Sequence, residues 1–142
     1  MRTGLGADPA HGAVVPPIYL STNYTFEGPT SPRQYDYSRS GNPTRSHLAG
    51  ALAELDGAAG AVVTASGMGA ITTALMALVG PGDVVVAPHD AYGGTWRLLD
   101  ALSRRVGFTL HLIDLAAPDA PARVRSLSPA LTWVETPSRS EE

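Results

Sequence analysis

The chain has 142 residues, of which 44% are hydrophobic and 16% charged, with a net charge of −3. That is a globular composition, long enough for one modest core, and it leaves no basic footprint for nucleic acid or an anionic membrane surface. There is no cysteine, so disulfides and thiolate metal sites are excluded, and all ten basic residues are arginines, so no chemistry that needs a lysine amine can run on these residues alone.

The N-terminal sequence MRTGLGADPAHG lacks the apolar segment of a secretory signal, and no apolar run approaches the roughly 18 residues of a membrane helix. A cytoplasmic protein is expected. Residues 1–41 follow neither the helical nor the strand period and carry Pro9, Pro16, Pro17, Pro29 and Pro32. Tyr19, Tyr24, Phe26, Tyr35 and Tyr37 make this stretch too aromatic for plain disorder. It reads as an extended arm that orders against another surface. At its end Tyr37 and Arg39 crowd beside the Gly41-Asn42-Pro43 turn.

From Pro43 the pattern becomes regular. Asn42 is a candidate cap, Leu48, Ala51, Leu52 and Leu55 follow helical spacing, and Gly57 ends the run. Ala61-Val62-Val63-Thr64 predicts a short buried strand. Ser66-Gly67-Met68-Gly69 then turns the chain into an all-round apolar, buried helix reaching about Val79. Val84 to Ala87 predicts a second buried strand. Gly93 to Val106 predicts a helix with Trp96, Leu99, Leu102 and Val106 on one face, closed by Gly107. Phe108 to Ile113 is a third strand, 119–127 a weak helix, and Leu131 to Glu135 a fourth strand. The alternation implies an α/β fold with a mostly parallel sheet covered on both faces.

Two loops stand out for chemistry. The Ser66-to-Gly69 turn joins a strand to a helix N-terminus, where open N–H groups and the helix dipole favour a phosphate; a glycine turn needed for packing alone is equally compatible with the spacing. His89 to Thr95 opens another helix at the same sheet edge, where Tyr92, followed by two glycines, could face a flat ring or merely pack. The four histidines have no metal-ligand spacing, and no G-x-S-x-G nucleophile elbow occurs. A dinucleotide fingerprint around Gly67 fits poorly, because Val63 stands where a glycine is needed.

Five segments, in order and spacing, resemble the Cys/Met-metabolism family of pyridoxal-phosphate enzymes: HGAVVPPI (11–18), YSRSGNPT (37–44), ASGM (65–68), APHDAYGGT (87–95) and ETPS (135–138). The resemblance implies a fold-type I, aspartate aminotransferase-like chain: an inter-subunit arm over 1–41 and part of the cofactor domain over 42–142. It implies pyridoxal 5'-phosphate, with Tyr37 and Arg39 on the phosphate held by the neighbouring subunit, Gly67 and Met68 offering backbone N–H groups to that phosphate, and Tyr92 stacked on the ring. The implied reaction is γ-replacement on an O-acylhomoserine by cysteine, with γ-lyases of the same family as close alternatives. The implied assembly is a homo-oligomer, a dimer of dimers.

The family usually reads Asn-Pro where this chain has Arg139-Ser140, and its Schiff-base lysine, the aspartate that pairs with the pyridine nitrogen, and the small C-terminal domain have no counterpart here. The resemblance therefore implies an N-terminal part of a longer enzyme, inactive alone, with no catalytic residue and no metal ligand of its own. The departure at 139 reads as a frameshift, an early stop or a gene boundary. A non-catalytic interaction module is the contrasting expectation.

Overall fold

The computed structural model describes residues 3, 4, 8 and 10–136. Pro9, the ends of the chain, the Pro137-Ser138 part of the last motif and the tail at 139–142 lie outside the described residues. The chain divides into two compact units, Met1–Val63 and Thr64–Glu142.

In the first unit no regular element precedes Pro43 among the described residues, but the arm carries local order. Asn23 and Tyr37 form an antiparallel bridge, flanked by Tyr24 N–H to the Asp36 carbonyl at 3.0 Å and Ser38 N–H to the Thr22 carbonyl at 2.9 Å. Tyr24 and Tyr35 pack ring against ring, centroids 5.6 Å apart. Helix α1 (Pro43–Asp56) starts and stops where the capping residues predict. Asn42 accepts the Thr44 N–H, Pro43 occupies the first turn, and Gly57 takes the left-handed conformation at φ 62°. The Asn42 amide also donates to the Tyr19 carbonyl, the Tyr24 hydroxyl and the Ser38 hydroxyl at 3.1–3.2 Å. One side chain thus caps the helix and ties it to the arm.

The second unit runs α2 (Gly67–Leu78), β1 (Val84–Pro88), α3 (Gly93–Leu102), β2 (Thr109–Ile113), α4 (Ala120–Leu127) and β3 (Leu131–Thr132). The sheet order is β2-β1-β3 and both pairings are parallel, with Val85 opposite Leu110 and Leu131. β1 is central, and Val85, Val86 and Ala87 are all fully buried, so both of its faces are covered. Leu75 of α2, Leu99 of α3, Val85, Ala87 and Phe108 form the core. The fold class is thus the α/β parallel arrangement that the alternating pattern predicts.

Four elements differ from expectation. Residues 61–64 are not a strand: Val62 is 78% exposed, and no ladder partner for them exists among the described residues. An apolar β-branched run sets a preference for extended backbone, but a strand requires a neighbour to bond. The fourth predicted strand shrinks to Leu131–Thr132, flanked by Ala130 N–H to the Val84 carbonyl at 2.9 Å and Trp133 N–H to the Val86 carbonyl at 2.8 Å. Beyond it the Glu135 side chain is drawn to the start of α3. Helix α2 buries Leu75 but leaves Met76 and Leu78 largely exposed, because three strands cover one side of a helix and not its circumference. The helix expected to reach Val106 is α-helical to Leu102 and closes in a π-helical turn, Ser103–Gly107, with Gly107 at φ 88°. On its predicted apolar face Leu99 is buried, whereas Trp96 is 44% exposed.

Candidate functional site

The carboxyl ends of the three parallel strands open onto a cavity of about 490 Å3, lined by Pro88 at the end of β1 and by the loops after β1 (His89, Asp90), β2 (Asp114, Leu115) and β3 (Val134, Glu135). Such an edge is where open parallel sheets place their ligands. Among the described residues, no group of three or more His, Asp or Glu is arranged to hold a metal ion.

The N-terminus of α2 is built by Ser66. Its backbone is extended, its hydroxyl accepts the Gly69 N–H at 3.1 Å, and its carbonyl accepts the Ala70 N–H at 3.0 Å. Thr64 braces the turn by donating its hydroxyl to the Ser66 carbonyl at 2.8 Å. With Gly69 and Ala70 satisfied, the Gly67 and Met68 N–H groups have no hydrogen-bond partner among the described residues. Two open N–H groups at the positive end of a 12-residue helix form an electropositive cradle.

Met68 and Tyr92 come together across Gly94. A side chain at position 94 would put its Cβ 2.4 Å from Tyr92 Cε1 and 3.0 Å from Met68 Sδ, so glycine is what lets the ring and the thioether close over the start of α3. Tyr92 itself is 51% exposed. Its ring thus lies beside the α2 cradle with half its surface open.

Sequence reasoning missed the group that holds Tyr92. Tyr92 is the N-cap of α3 and its side chain makes no capping bond. A carboxylate distant in sequence, just beyond the neighbouring strand β3, holds the start of α3: Glu135 accepts the Tyr92 N–H and the Thr95 hydroxyl, each at 2.6 Å, and the Trp133 indole N–H at 3.1 Å. Thr95 is fully buried. Burial pushes the Glu135 carboxyl up and the neighbouring Asp90 carboxylate adds to this, but the three donors outweigh both and hold it below its ordinary 4.5. Because folding depresses this pKa, the carboxylate's contribution to stability is complete above the unfolded value and is lost as pH falls through the folded one. Glu135→Gln is therefore expected to melt below the wild type at neutral pH, and the gap should close on acidification. A gap constant with pH, followed by circular dichroism, would contradict this.

Tyr37 and Arg39 are paired in the first unit. The Arg39 guanidinium donates to the Tyr37 hydroxyl at 2.8 Å and its Cζ stands 5.2 Å from the ring centroid. Arg45 anchors the loop by donating to the Ser38 and Arg39 carbonyls. The phenol oxygen accepts from arginine, so its own proton is free to be donated outward, and Arg39 is exposed. A phenol O–H and a guanidinium side by side suit a dianionic group. So two pairs of predicted residues are brought together, Tyr37 with Arg39 in one unit and Met68 with Tyr92 in the other.

The second unit thus combines a parallel α/β sheet, a helix N-terminus with two open N–H groups and a half-exposed aromatic ring at the start of α3. The chain belongs to the Cys/Met metabolism PLP-dependent enzyme family, whose model matches residues 1–141. It is 47% identical to cystathionine γ-synthase of Escherichia coli over 138 residues, 97% of this chain and 36% of the relative. It is 38% identical to cystathionine β-lyase of Lactococcus lactis subsp. cremoris over 136 residues, 95% of this chain and 35% of the relative. Among solved structures, cystathionine γ-synthase from Xanthomonas oryzae pv. oryzae, in complex with aminoacrylate and cysteine, matches with a TM-score of 0.87 and 54% identity, covering 97% of this chain and 36% of that one. This chain thus spans about a third of the length of the relatives it matches.

Proposed function

We propose that these residues form the phosphate- and ring-holding part of a pyridoxal-phosphate site in an enzyme of γ-replacement, joining cysteine to an O-acylhomoserine. The observation that carries the reading is the pairing of the open Gly67 and Met68 N–H groups with the Tyr92 face across Gly94. The chain fits the cofactor's phosphate and ring, and with no lysine among its 142 residues it does not fit the cofactor's aldehyde. When bound, pyridoxal phosphate supplies an electron sink for a carbanion formed on the amino-acid substrate.

This chain's own residues bind and orient. Gly67 and Met68 donate backbone N–H groups to phosphate oxygens, with the α2 dipole adding to the attraction. Tyr92 packs its ring on the pyridine face and shields it from water. Residues 1–41 act as an arm between subunits, and 42–142 as part of the cofactor domain. On that reading Tyr37 and Arg39 neutralise the phosphate of a neighbouring copy, the phenol by its outward O–H and the guanidinium by charge. Proton transfer needs a basic amine that these residues do not include.

The γ-synthase reading is favoured over the γ-lyase alternative by the higher identity to a synthase, 54% to the Xanthomonas oryzae structure against 40% to a cystathionine γ-lyase structure from Micromonospora echinospora. The test is a graft: residues 1–136 replace the matching segment of the Escherichia coli synthase, and cystathionine formation from an O-acylhomoserine and cysteine is assayed. Synthesis is expected. A folded, cofactor-loaded graft that only breaks cystathionine down would overturn the assignment.

A further inference from the structure

We infer that Glu135 is a positioning residue, holding Tyr92 and the first turn of α3 so that the Tyr92 ring lies beside Met68. This rests on the reading of Tyr92 as the ring-facing residue. The two partners are 43 residues apart in sequence and come from different strand ends, so their contact belongs to the tertiary fold. Tyr92 cannot hold itself: it has no side-chain capping bond and is half exposed, and its neighbours at 93 and 94 are glycines. Glu135 supplies what is missing. One carboxylate oxygen takes the Tyr92 N–H, and the other takes the Thr95 hydroxyl one turn into the helix and the Trp133 indole N–H.

The bonds are directional and span the cap residue and the first turn, so they fix where the Tyr92 Cα–Cβ bond points. Gly94 then leaves the ring room to lie against Met68 Sδ. A glutamine at 135 keeps the length and one acceptor oxygen but replaces the other with a donor, which faces either the Tyr92 N–H or the Thr95 hydroxyl. The shape survives and the hold loosens.

The experiment combines three readouts on the chain and its Glu135→Gln variant: hydrogen exchange at the Tyr92 amide, affinity for pyridoxal 5'-phosphate, and affinity for inorganic phosphate. Loss of one charge-assisted bond is expected to speed Tyr92 exchange about tenfold or more, with Val85 and Val86 of β1 unchanged. Affinity for pyridoxal phosphate is expected to fall by about the same factor while that for inorganic phosphate, which needs only the α2 cradle, stays the same. Unchanged Tyr92 exchange, an unchanged pyridoxal-phosphate affinity, or an equal loss for both probes would overturn the positioning role. If the wild type binds neither probe, the cofactor reading fails and the exchange comparison alone decides the positioning. Should Glu135→Gln not fold, Thr95→Val removes one of the same bonds without changing side-chain shape, and the same outcomes apply.

Discussion

Incubation with pyridoxal phosphate and reduction with borohydride should leave every internal peptide of this chain unlabelled, and no cystathionine should form from an O-acylhomoserine and cysteine. The reason is compositional before it is structural. Borohydride fixes the cofactor only where an amine has condensed with its aldehyde, and the chain contains no lysine. Its remaining amine is the N-terminus, and labelling of Met1 alone would reflect the reactivity of any exposed amine. Holding the cofactor without that bond falls to hydrogen bonds of about 1.5–3 kcal/mol each, set against at least ~4 kcal/mol for lost translational and rotational freedom. Two open N–H groups and one aromatic face leave a weak complex and no proton shuttle. A labelled internal peptide, or turnover by the pure chain, would contradict the assignment of the chain as a binding element without a catalytic base.

Replacing Arg39 by alanine in the grafted enzyme is expected to lower cofactor affinity by about 10- to 150-fold, the equivalent of one charge-assisted bond, with little loss of fold. Arg39 is exposed, and its side-chain bond goes to Tyr37, itself only partly buried. Removing it therefore opens no core cavity. If the arm acts in trans, a mixture of Arg39→Ala subunits with lysine-dead subunits should regain activity, because one composite site then contains both intact groups. Affinity unchanged by Arg39→Ala, or mixtures that recover nothing, would count against the role of the arm.

The parts of the fold that were legible in sequence are those set by local chemistry. Asn42, Pro43 and Gly57 mark the ends of α1 because capping and left-handed turns depend on a few adjacent residues. Ser66 with Gly67 marks α2 in the same way. Val84 to Ala87 could be placed because a central parallel strand is apolar on both faces. What failed depends on partners. Residues 61–64 have the composition of a strand without a neighbour to bond, and the strand after Leu131 stops early where its partner β1 reaches Pro88, which has no N–H to continue the ladder.

The candidate site divides along the same line. The glycine turn at 66–69 stands out by its spacing, whereas Tyr37 and Arg39, two residues apart, take their candidate role from the family resemblance and not from spacing. The Glu135 clamp could not, since a glutamate before Thr-Pro carries no local sign of the helix start it caps. Its signal would have been the missing side-chain cap at Tyr92. The need for glycine at 94 is likewise set by the ring and thioether that converge there.

Equilibrium binding of pyridoxal phosphate against its dephosphorylated form, pyridoxal, measured on the chain and on Tyr92→Ala, decides whether the α2 cradle and the Tyr92 ring together hold the cofactor. Saturable, weak binding of the phosphorylated ring is expected, with much weaker binding of pyridoxal because the α2 cradle then has no anion to hold, and loss of affinity in Tyr92→Ala. Equal binding of the two forms, or binding indifferent to Tyr92→Ala, would show that the Gly67–Met68 turn and the Tyr92 face do not make a cofactor site.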